Sequence, residues 1–304
     1  MTERRFNELR GEQVVYAEHR QERTLLPEAQ ACPLCPTRPG GPATEIPPES
    51  DGIAVFGNRF PAFEEPEGAA EVVVYTDDHA GSFAGLGAER VERLMEVWCE
   101  RYAELGARPE VEYVLIFENR GEEVGVTLHH PHGQIYAFPF LPPVPAAERE
   151  ADHRSGGCVP CSLLAREQRD GDRIVHSNDS MLSYVPHAAR FPYEVHVAAR
   201  EHRASLVDCD PSELRDLGAA LQAVTRGYDA LFDRPFPYMM CVHQAPTDGG
   251  ADGHLHVELY GLLRAADRVK YLAGCEQGAG TFLVDALPER MAGELRAAIE
   301  GAGG

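Results

Sequence analysis

Short apolar runs alternate with polar, glycine-rich and proline-rich segments in the first half of this chain, and one longer stretch has a different period. Apolar runs of about four to seven residues have the length of buried strands. The predicted strands lie at residues 53–56, 72–75 and 111–117, with another one entered by the histidine run at residues 129–132. Residues 89–105 repeat apolar side chains at helical spacing and predict an amphipathic helix packed on the strands. Residues 7–23 are interpreted as a strand with a polar tail.

The same order of elements starts again in the second half of the 304 residues. Strands are predicted at residues 181–185, 194–198 and 236–242, and a last strand follows a glycine-rich turn before residue 254. Asp210, Pro211 and Glu213 form the start signal of a helix between the second and third of these strands. The pattern predicts an α+β fold of two homologous halves, each an antiparallel sheet with packed helices, related by a pseudo-twofold axis. The predicted halves are residues 1–145 and 146–304, joined near residues 140–157.

Chemically distinctive residues recur in the two halves at nearly equal intervals. Each half has a Cys-x-x-Cys pair, an acidic residue followed by histidine, and a His-x-His run. From the second cysteine to the acidic-His step there are 44 residues in the first half and 41 in the second, and from that step to the His-x-His run there are 51 and 52. The recurring positions are Cys32, Cys35, His79 and His130, and then Cys158, Cys161, His202 and His254. This agreement indicates a duplication.

Two thiolates and two imidazoles are the ligand set of a closed tetrahedral zinc site. The first four of these positions are therefore predicted to hold a structural zinc ion, which would also fix the direction of His132, two residues after His130. The alternative is an incidental cysteine pair on a loop, and the duplication disfavours it. The second four positions predict a second metal site, in which His243, His256 or Glu258 could replace one member.

The segment His-His-Pro-His-Gly-Gln at residues 129–134 carries the chemistry of a group transfer. In an extended chain His130, His132 and Gln134 lie on one face. A neutral imidazole can attack phosphorus if its other ring nitrogen gives its proton to an acceptor such as a backbone carbonyl. The amide of Gln134 can donate hydrogens to a non-bridging oxygen in the transition state. The bland alternative is a surface histidine cluster or a core strand with satisfied imidazoles.

Neighbouring residues of this segment have simpler expected roles. Gly133 is expected to let a ligand approach the backbone closely, and Pro131, which has no N–H, to mark a strand entrance or an edge. No role is assigned to His129.

The charge balance limits the partners of the protein. There are 28 basic and 49 acidic residues, which gives a net charge of −21. Such a surface repels nucleic acid and anionic membrane, so neither is expected as a partner. There is no apolar stretch approaching 18 residues and no signal peptide pattern at the N-terminus, so a cytoplasmic location is predicted.

Residues 129–134, preceded by Phe-Glu-Asn-Arg-Gly at residues 117–121, resemble the signature of galactose-1-phosphate uridylyltransferases, the nucleotidyltransferase branch of the histidine-triad superfamily. The resemblance covers nearly the whole chain. The matching segments are an arginine motif at 18–23, a uridine-pocket segment at 56–60, a second-half metal region at 238–246 and 255–258, and a sugar-phosphate segment at 269–271 and 274–276.

The resemblance implies two histidine-triad-like halves, of which the first is catalytic. His132 would attack the α-phosphorus of UDP-glucose and release glucose 1-phosphate, and galactose 1-phosphate would then take the uridylyl group and give UDP-galactose, a reaction of galactose metabolism. Gln134 would be a second catalytic residue and would also bind substrate. The implied substrate contacts are Arg20, Arg23, Asn58, Asn119, Gln134 and Lys270. A homodimer with shared active sites and no need for magnesium are implied as well.

The resemblance leaves the second metal site and the substrate open. Many family members build that site from a glutamate and three histidines, so Glu148 or Glu150 becomes an alternative ligand, with Glu258 in the slot of the last histidine. One or two zinc ions per chain are expected, with iron as an alternative metal at the second site. The alternative functions are a related phosphorylase acting on ADP-sugars or diadenosine tetraphosphate, and a non-catalytic, zinc-stabilised nucleotide-binding protein.

Overall fold

The computed structural model describes residues 2–23, 25–41, 43–48, 52–250 and 253–303. The strands are β1 Glu3–Asn7, β2 Glu12–Tyr16, β3 Ala54–Gly57, β4 Ala69–Val74, β5 Tyr113–Arg120, β6 His132–Phe138, β7 Ile174–Ser177, β8 Met181–Tyr184, β9 Val195–Ala199, β10 Tyr238–His243, β11 His256–Gly261, β12 Leu263–Ala265 and β13 Arg268–Val269. The α-helices are α1 Ala88–Gly106, α2 Pro143–Ser155, α3 Val159–Asp170, α4 Pro211–Leu231, α5 Gly274–Ala279 and α6 Pro288–Ala302.

One antiparallel sheet of nine strands runs through both halves in the order β3-β4-β6-β5-β10-β11-β9-β8-β7. Its centre is the pairing of β5 with β10. Outward from this pair, the order β5, β6, β4, β3 on one side matches β10, β11, β9, β8 on the other, and the long helices α1 and α4 precede the two central strands. The predicted α+β fold of two equivalent halves is confirmed.

The two faces of the sheet have different roles because side chains alternate along a strand. One face packs against α1 and α4, which also contact each other, and forms the main hydrophobic core. The opposite face carries the polar side chains of β6 and β11. The core-facing residues of these strands include Ile135, Ala137, Val257 and Leu259, and their neighbours on the opposite face are His132, Gln134, His256 and Glu258.

The start of α4 follows the predicted signal. The Asp210 carboxylate accepts hydrogen bonds from the backbone N–H groups of Ser212 at 2.7 Å and Glu213 at 3.0 Å. The Glu213 carboxylate in turn accepts from the Asp210 N–H at 2.8 Å, so the first turn has a complete capping box. Such a cap stabilises a helix by about 1 kcal/mol.

The prediction for residues 7–23 is confirmed only in part, since the strand within them is the shorter β2 and a hairpin turn precedes it. Strands β1 and β2 form a hairpin within residues 3–16, and a 3₁₀ helix follows at Glu18–Glu22. The side-chain oxygen of Asn7 accepts from the N–H of Leu9 at 3.1 Å, and Gly11 adopts a φ of 67°, which favours glycine. Local turn chemistry therefore interrupts the apolar pattern.

The sequence pattern also did not predict several elements, which are α2, α3, α5, α6, β1, β7, β12 and β13. Helix α2 lies within the joint expected near residues 140–157, and α3 follows directly after it. The proposed division after residue 145 falls inside α2, and that division stays a prediction. No helix in the described ranges is both long and apolar enough to cross a membrane.

Candidate active site and metal clusters

The candidate nucleophile His132 is the first residue of β6 and points away from the main core. Its Nδ1 lies 2.7 Å from the backbone oxygen of His130. A carbonyl oxygen can only accept, so Nδ1 carries the proton and the lone pair of Nε2 is free. Burial also lowers the pKa of His132, which favours the neutral ring. The backbone acceptor expected from the sequence is therefore the carbonyl of His130.

Gly133 has a packing role that the sequence did not indicate. Its α-carbon faces the core, and a β-carbon there would lie 2.2 Å from the phenolic oxygen of Tyr75. Glycine is therefore required for the packing of Tyr75 beneath β6, and the expected close approach of a ligand stays a prediction. Pro131 immediately precedes β6, as predicted for a strand entrance, and its carbonyl accepts from the Tyr75 N–H at 3.1 Å.

The amide oxygen of Gln134 is held by two side chains. Asn58 donates through Nδ2 at 3.1 Å, and the Tyr136 hydroxyl donates at 3.2 Å. Arg20 donates to the Tyr136 hydroxyl at 3.1 Å and to the Phe60 carbonyl at 3.2 Å. Tyr136 was not among the candidate residues, although strand alternation places it two residues beyond Gln134 on the same face.

Two cavities adjoin His132. The first has apolar walls that include Leu34, Phe56 and Val72, and it reaches His132 and Gln134. The second lies on the other side of the imidazole and is lined by polar residues of the β5–β6 connection and by Arg234 from the second half. The imidazole therefore has space for a ligand on both sides.

The candidate substrate contacts are distributed between these cavities. Arg23 and Asn58 line the first cavity and Asn119 lines the second, whereas Arg20 lies behind Gln134. Lys270 lines neither cavity: it is buried, with Nζ 2.5 Å from Oε1 of Glu276 and 2.7 Å from the Leu283 carbonyl. Lys270 and Arg20 are thus the two predicted contacts that line neither cavity within this chain, although Arg20 reaches Gln134 through Tyr136.

His129 borders the second cavity. Its Nε2 lies 3.5 Å from a carboxylate oxygen of Glu122.

The first predicted metal set is assembled. The donor atoms of Cys32, Cys35, His79 and His130 all lie within 4.8 Å of one another. The Cys35 sulfur is 3.4 Å from Nδ1 of His79 and 3.5 Å from Nδ1 of His130. Ligands of a tetrahedral zinc ion are separated by about 3.5 Å, given bonds of about 2.0–2.3 Å. The residues therefore fit zinc without rearrangement.

The protonation pattern of the first cluster also fits a metal. His130 donates its Nε2–H to the Thr76 carbonyl at 2.6 Å, which leaves Nδ1 as the ligand atom. Burial and the neighbouring Cys32 raise the pKa of the Cys35 thiol to about 11. A cation is therefore needed to hold this buried pair as thiolates.

The second four positions repeat this arrangement. Their donor atoms also lie within 4.8 Å of one another. The Cys161 sulfur is 3.4 Å from Nδ1 of His202 and 3.2 Å from Nδ1 of His254. His254 donates its Nε2–H to the Ala199 carbonyl at 2.8 Å, as His130 does to Thr76. The cysteine pair begins α3, with Cys158 as its N-cap, and is less buried than the first pair.

The alternative ligands of the second site form a separate, third cluster. Glu148 from α2 meets His243 and His256, which are paired across β10 and β11. Nδ1 of His243 is 3.1 Å from Oε1 of Glu148, and Nε2 of His256 is 3.9 Å from the same oxygen. The carboxylate of Glu258 lies beside the cluster, 3.6 Å from His243.

Glu150 does not belong to the third cluster. It is exposed on α2 and lies 3.8 Å from Arg154. Of the two glutamates proposed from the sequence, the structure therefore brings Glu148 to the histidines. Burial alone would lower the pKa of His243, but the carboxylates of Glu148 and Glu258 outweigh it and raise the pKa.

Family models match both halves of the chain. Residues 62–142 match the galactose-1-phosphate uridyl transferase N-terminal domain, and residues 148–300 match the C-terminal domain of the same family. The chain is 38% identical to the galactose-1-phosphate uridylyltransferase of Thermotoga maritima over 97% of this chain and 98% of the relative. It is 31% identical to that of Haemophilus influenzae over 98% of this chain and 94% of the relative.

Solved structures give the same result. A uridylyltransferase structure superposes with a TM-score of 0.88 at 30% identity and covers 99% of both chains. An ADP-glucose phosphorylase from Arabidopsis thaliana has the same fold, with a TM-score of 0.75 at 20% identity and coverage of 97% of this chain and 98% of the other. With both halves matched and the identity extending over nearly the full length, the chain belongs to the galactose-1-phosphate uridylyltransferase family.

Proposed function

We propose that the protein transfers UMP from UDP-glucose to galactose 1-phosphate in two steps through a uridylyl-histidine at His132. The observation that carries the proposal is the orientation of this imidazole: Nδ1 is held by a carbonyl at 2.7 Å, and the ring lies between two cavities. The names of the relatives support the choice of reaction.

In the first step, Nε2 of His132 forms a bond to the α-phosphorus. The bond from this phosphorus to the bridging oxygen breaks, and its electron pair leaves with glucose 1-phosphate. In the second step a phosphate oxygen of galactose 1-phosphate bonds to the phosphorus, and the P–N electron pair returns to Nε2. The proton stays on Nδ1 of His132 throughout and is donated in a hydrogen bond to the carbonyl of His130. The leaving groups are glucose 1-phosphate in the first step and the His132 imidazole in the second. Both are weakly basic, so neither step needs a general acid.

The two cavities fit the two parts of the donor. The first, with its apolar walls and Arg23 and Asn58, suits the nucleoside and the α-phosphate. The second, with Asn119, suits the hexose phosphate. The amide hydrogens of Gln134 stabilise the charge that develops on the α-phosphate oxygens. Arg23 in the first cavity supplies positive charge for the phosphates, and the proposal includes no magnesium.

The proposal includes a homodimer with shared active sites. Lys270 and its ion pair with Glu276 lie outside both cavities of their own chain. The adjoining Tyr271 and Leu272 are exposed apolar residues, 71% and 41% accessible. A partner subunit that covers this segment would bury both side chains, and the segment would then lie at the active site of the partner.

We propose structural zinc in the two Cys₂His₂ clusters and zinc or iron in the third. Zinc in the first cluster would tie the cysteine loop to β6 and hold His130, whose carbonyl orients His132. No step of the reaction passes through these metals. The cytoplasmic location and the lack of a nucleic-acid or membrane partner stay predictions from the sequence.

Donor comparison tests the proposed substrate. With galactose 1-phosphate as acceptor, UDP-glucose should yield UDP-galactose and glucose 1-phosphate in equal amounts. ADP-glucose with phosphate, and diadenosine tetraphosphate with phosphate, should give less than a hundredth of that rate. A higher rate with either adenine donor would assign the protein to the phosphorylase alternative.

A further inference from the structure

The amide of Gln134 is fixed in one orientation by two chains of hydrogen bonds whose directions are determined. In the first chain, Asn58 Oδ1 accepts from the backbone N–H of Phe60 at 2.9 Å. This bond leaves the Asn58 Nδ2 group to donate, and it lies 3.1 Å from Gln134 Oε1. A backbone N–H can only donate, so the direction of the whole chain follows from its first member.

The second chain begins at a guanidinium group, which also can only donate. Arg20 donates to the Tyr136 hydroxyl oxygen at 3.1 Å, and the hydroxyl hydrogen is then directed to Gln134 Oε1 at 3.2 Å. Both chains end on the same oxygen of the amide. The Gln134 NH₂ group therefore faces away from them, toward the cavity beside His132.

We propose that Tyr136, oriented by Arg20, is a positioning residue that keeps the NH₂ group of Gln134 directed at the α-phosphate during transfer. This inference rests on the proposed roles of His132 and Gln134. A flipped amide would present its oxygen to the anionic phosphate oxygens and would lose both donors. Tyr136 does not line either cavity, so it acts through Gln134 and not on the substrate.

The second half contains the same relay with a different end. Arg190 donates to the Tyr260 hydroxyl at 3.1 Å, and Tyr260 donates to the Glu258 carboxylate. In each relay an arginine and a tyrosine hold the residue that lies two positions after the histidine, which is Gln134 after His132 and Glu258 after His256. A carboxylate has no hydrogen to direct at a phosphate, so the relay can assist transfer only in the first half. Tyr260 is therefore a matched control for Tyr136.

The test measures both half-reactions with the full-length holoenzyme of Tyr136→Phe and Tyr260→Phe. Phenylalanine keeps the ring contacts of Tyr136, such as the edge contact with Phe117 at 4.9 Å between centroids. We expect Tyr136→Phe to lower kcat roughly tenfold in each half-reaction with little change in KM for UDP-glucose, because one bond to Gln134 is lost. Tyr260→Phe should match the wild type.

A double-mutant cycle separates positioning from a general structural effect. In a Gln134→Ala background, Tyr136→Phe should cause no further loss, because no amide is left to orient. An equal loss in both backgrounds, or an unchanged rate in the wild-type background, would overturn the inference. If His132→Ala kept its activity, the proposed function itself would fail, which is a different result.

A second pair of variants applies if Tyr136→Phe does not fold. Arg20→Lys keeps a donor for the Tyr136 hydroxyl, and Arg20→Leu removes it. Arg20→Leu should have a lower kcat than Arg20→Lys when Gln134 is present. The two variants should have the same kcat in a Gln134→Ala background. Equal kcat values for the two variants when Gln134 is present would overturn the inference.

Discussion

The two halves of the molecule present the same imidazole geometry in opposite surroundings. Nδ1 of His132 is 2.7 Å from the His130 carbonyl, and Nδ1 of His256 is 2.7 Å from the His254 carbonyl. Each ring thus directs its Nε2 away from the backbone. Around His132 there are two cavities and a neutral amide, whereas around His256 there are carboxylates.

Under the proposed function, this difference explains how one half of a duplicated fold would catalyse transfer and the other would not. The Nε2 atom of His256 lies 3.9 Å from Glu148 and 3.7 Å from Glu258. These two negative charges repel a phosphate and favour a cation, either a proton or a metal ion, at the histidines. The duplication supplies an oriented imidazole twice, and the surrounding charge and space decide its use.

The covering elements create the difference. In the second half, α2 brings Glu148 over the open face of the sheet, and α3 begins at the cysteine pair. In the first half, the corresponding cysteine pair lies on a loop that borders a cavity through Pro33 and Leu34. In the second half a helix therefore supplies a carboxylate beside the histidine on the sheet, whereas in the first half a loop and a cavity lie there.

The largest expected effect comes from replacing each of the two equivalent histidines by alanine. His132→Ala should lower UMP transfer by about 10⁴-fold or more, since the nucleophile is lost. His256→Ala should lower it by less than about tenfold, since its ring is not expected to meet the substrate. The measurement is steady-state formation of UDP-galactose. Equal losses in both variants would contradict the comparison.

The next largest effect is expected from replacing the amide of Gln134 by a carboxylate, which is compared with replacing the carboxylate of Glu258 by an amide. Gln134→Glu should lower kcat by about 10²-fold, because a carboxylate removes the donors and repels the phosphate. Glu258→Gln should leave the rate within about twofold, because the substrate is not expected to reach Glu258. Both variants are followed in the same transfer assay. A large loss in Glu258→Gln alone would mean that the active half had been misassigned.

A smaller effect is expected from removing equivalent metal ligands. Cys35→Ser and Cys161→Ser should each lose one metal ion per chain, as measured by elemental mass spectrometry. Only Cys35→Ser should also lower transfer, by roughly tenfold, because the cluster beside His132 loses its hold on His130. Retention of the full metal content in either variant would contradict the assignment of that cluster.

The last prediction concerns the free energy of unfolding, and its effect on transfer is the smallest. Glu118 is buried on β5, and the equivalent position in the second half is Val242. Burial raises the pKa of Glu118 to about 7, although the charge of Arg120 opposes the shift. The folded state therefore holds the proton more tightly than the unfolded chain, whose carboxyl has a pKa near 4.5.

The contribution of Glu118 to the free energy of unfolding should consequently be largest below pH 4.5. It should fall as the pH rises to 7, by at most about 1.4 kcal/mol per pH unit. Glu118→Gln should remove this part of the pH dependence. Urea unfolding of the two proteins at pH 5 and pH 7.5 measures the difference. Parallel changes in both proteins would show that Glu118 does not titrate in this range.

The sequence was most informative where chemistry repeats. The spacing of cysteines and histidines was sufficient to predict both Cys₂His₂ clusters, because a duplication conserves intervals between strands. The separation of Glu148, His243 and His256 into a third cluster was not predictable. It depends on where α2 lies across the sheet, and the local pattern of α2 does not specify that position.

Contacts between distant segments were also out of reach. Arg20 and Tyr136 are 116 positions apart, so their hydrogen bond depends on how the N-terminal segment packs across the sheet. The packing role of Gly133 was out of reach for a similar reason. A glycine in a strand signals a close approach, but only the packing identifies Tyr75 as the approaching group.

The most direct test of the account is the covalent intermediate. The protein is incubated with UDP-glucose alone, and peptide mass spectrometry locates the modified residue. The account predicts a mass gain of one uridylyl group on His132, none on His256, and loss of the adduct when galactose 1-phosphate is added. An adduct on another residue, or no adduct while UDP-galactose is still formed, would contradict it.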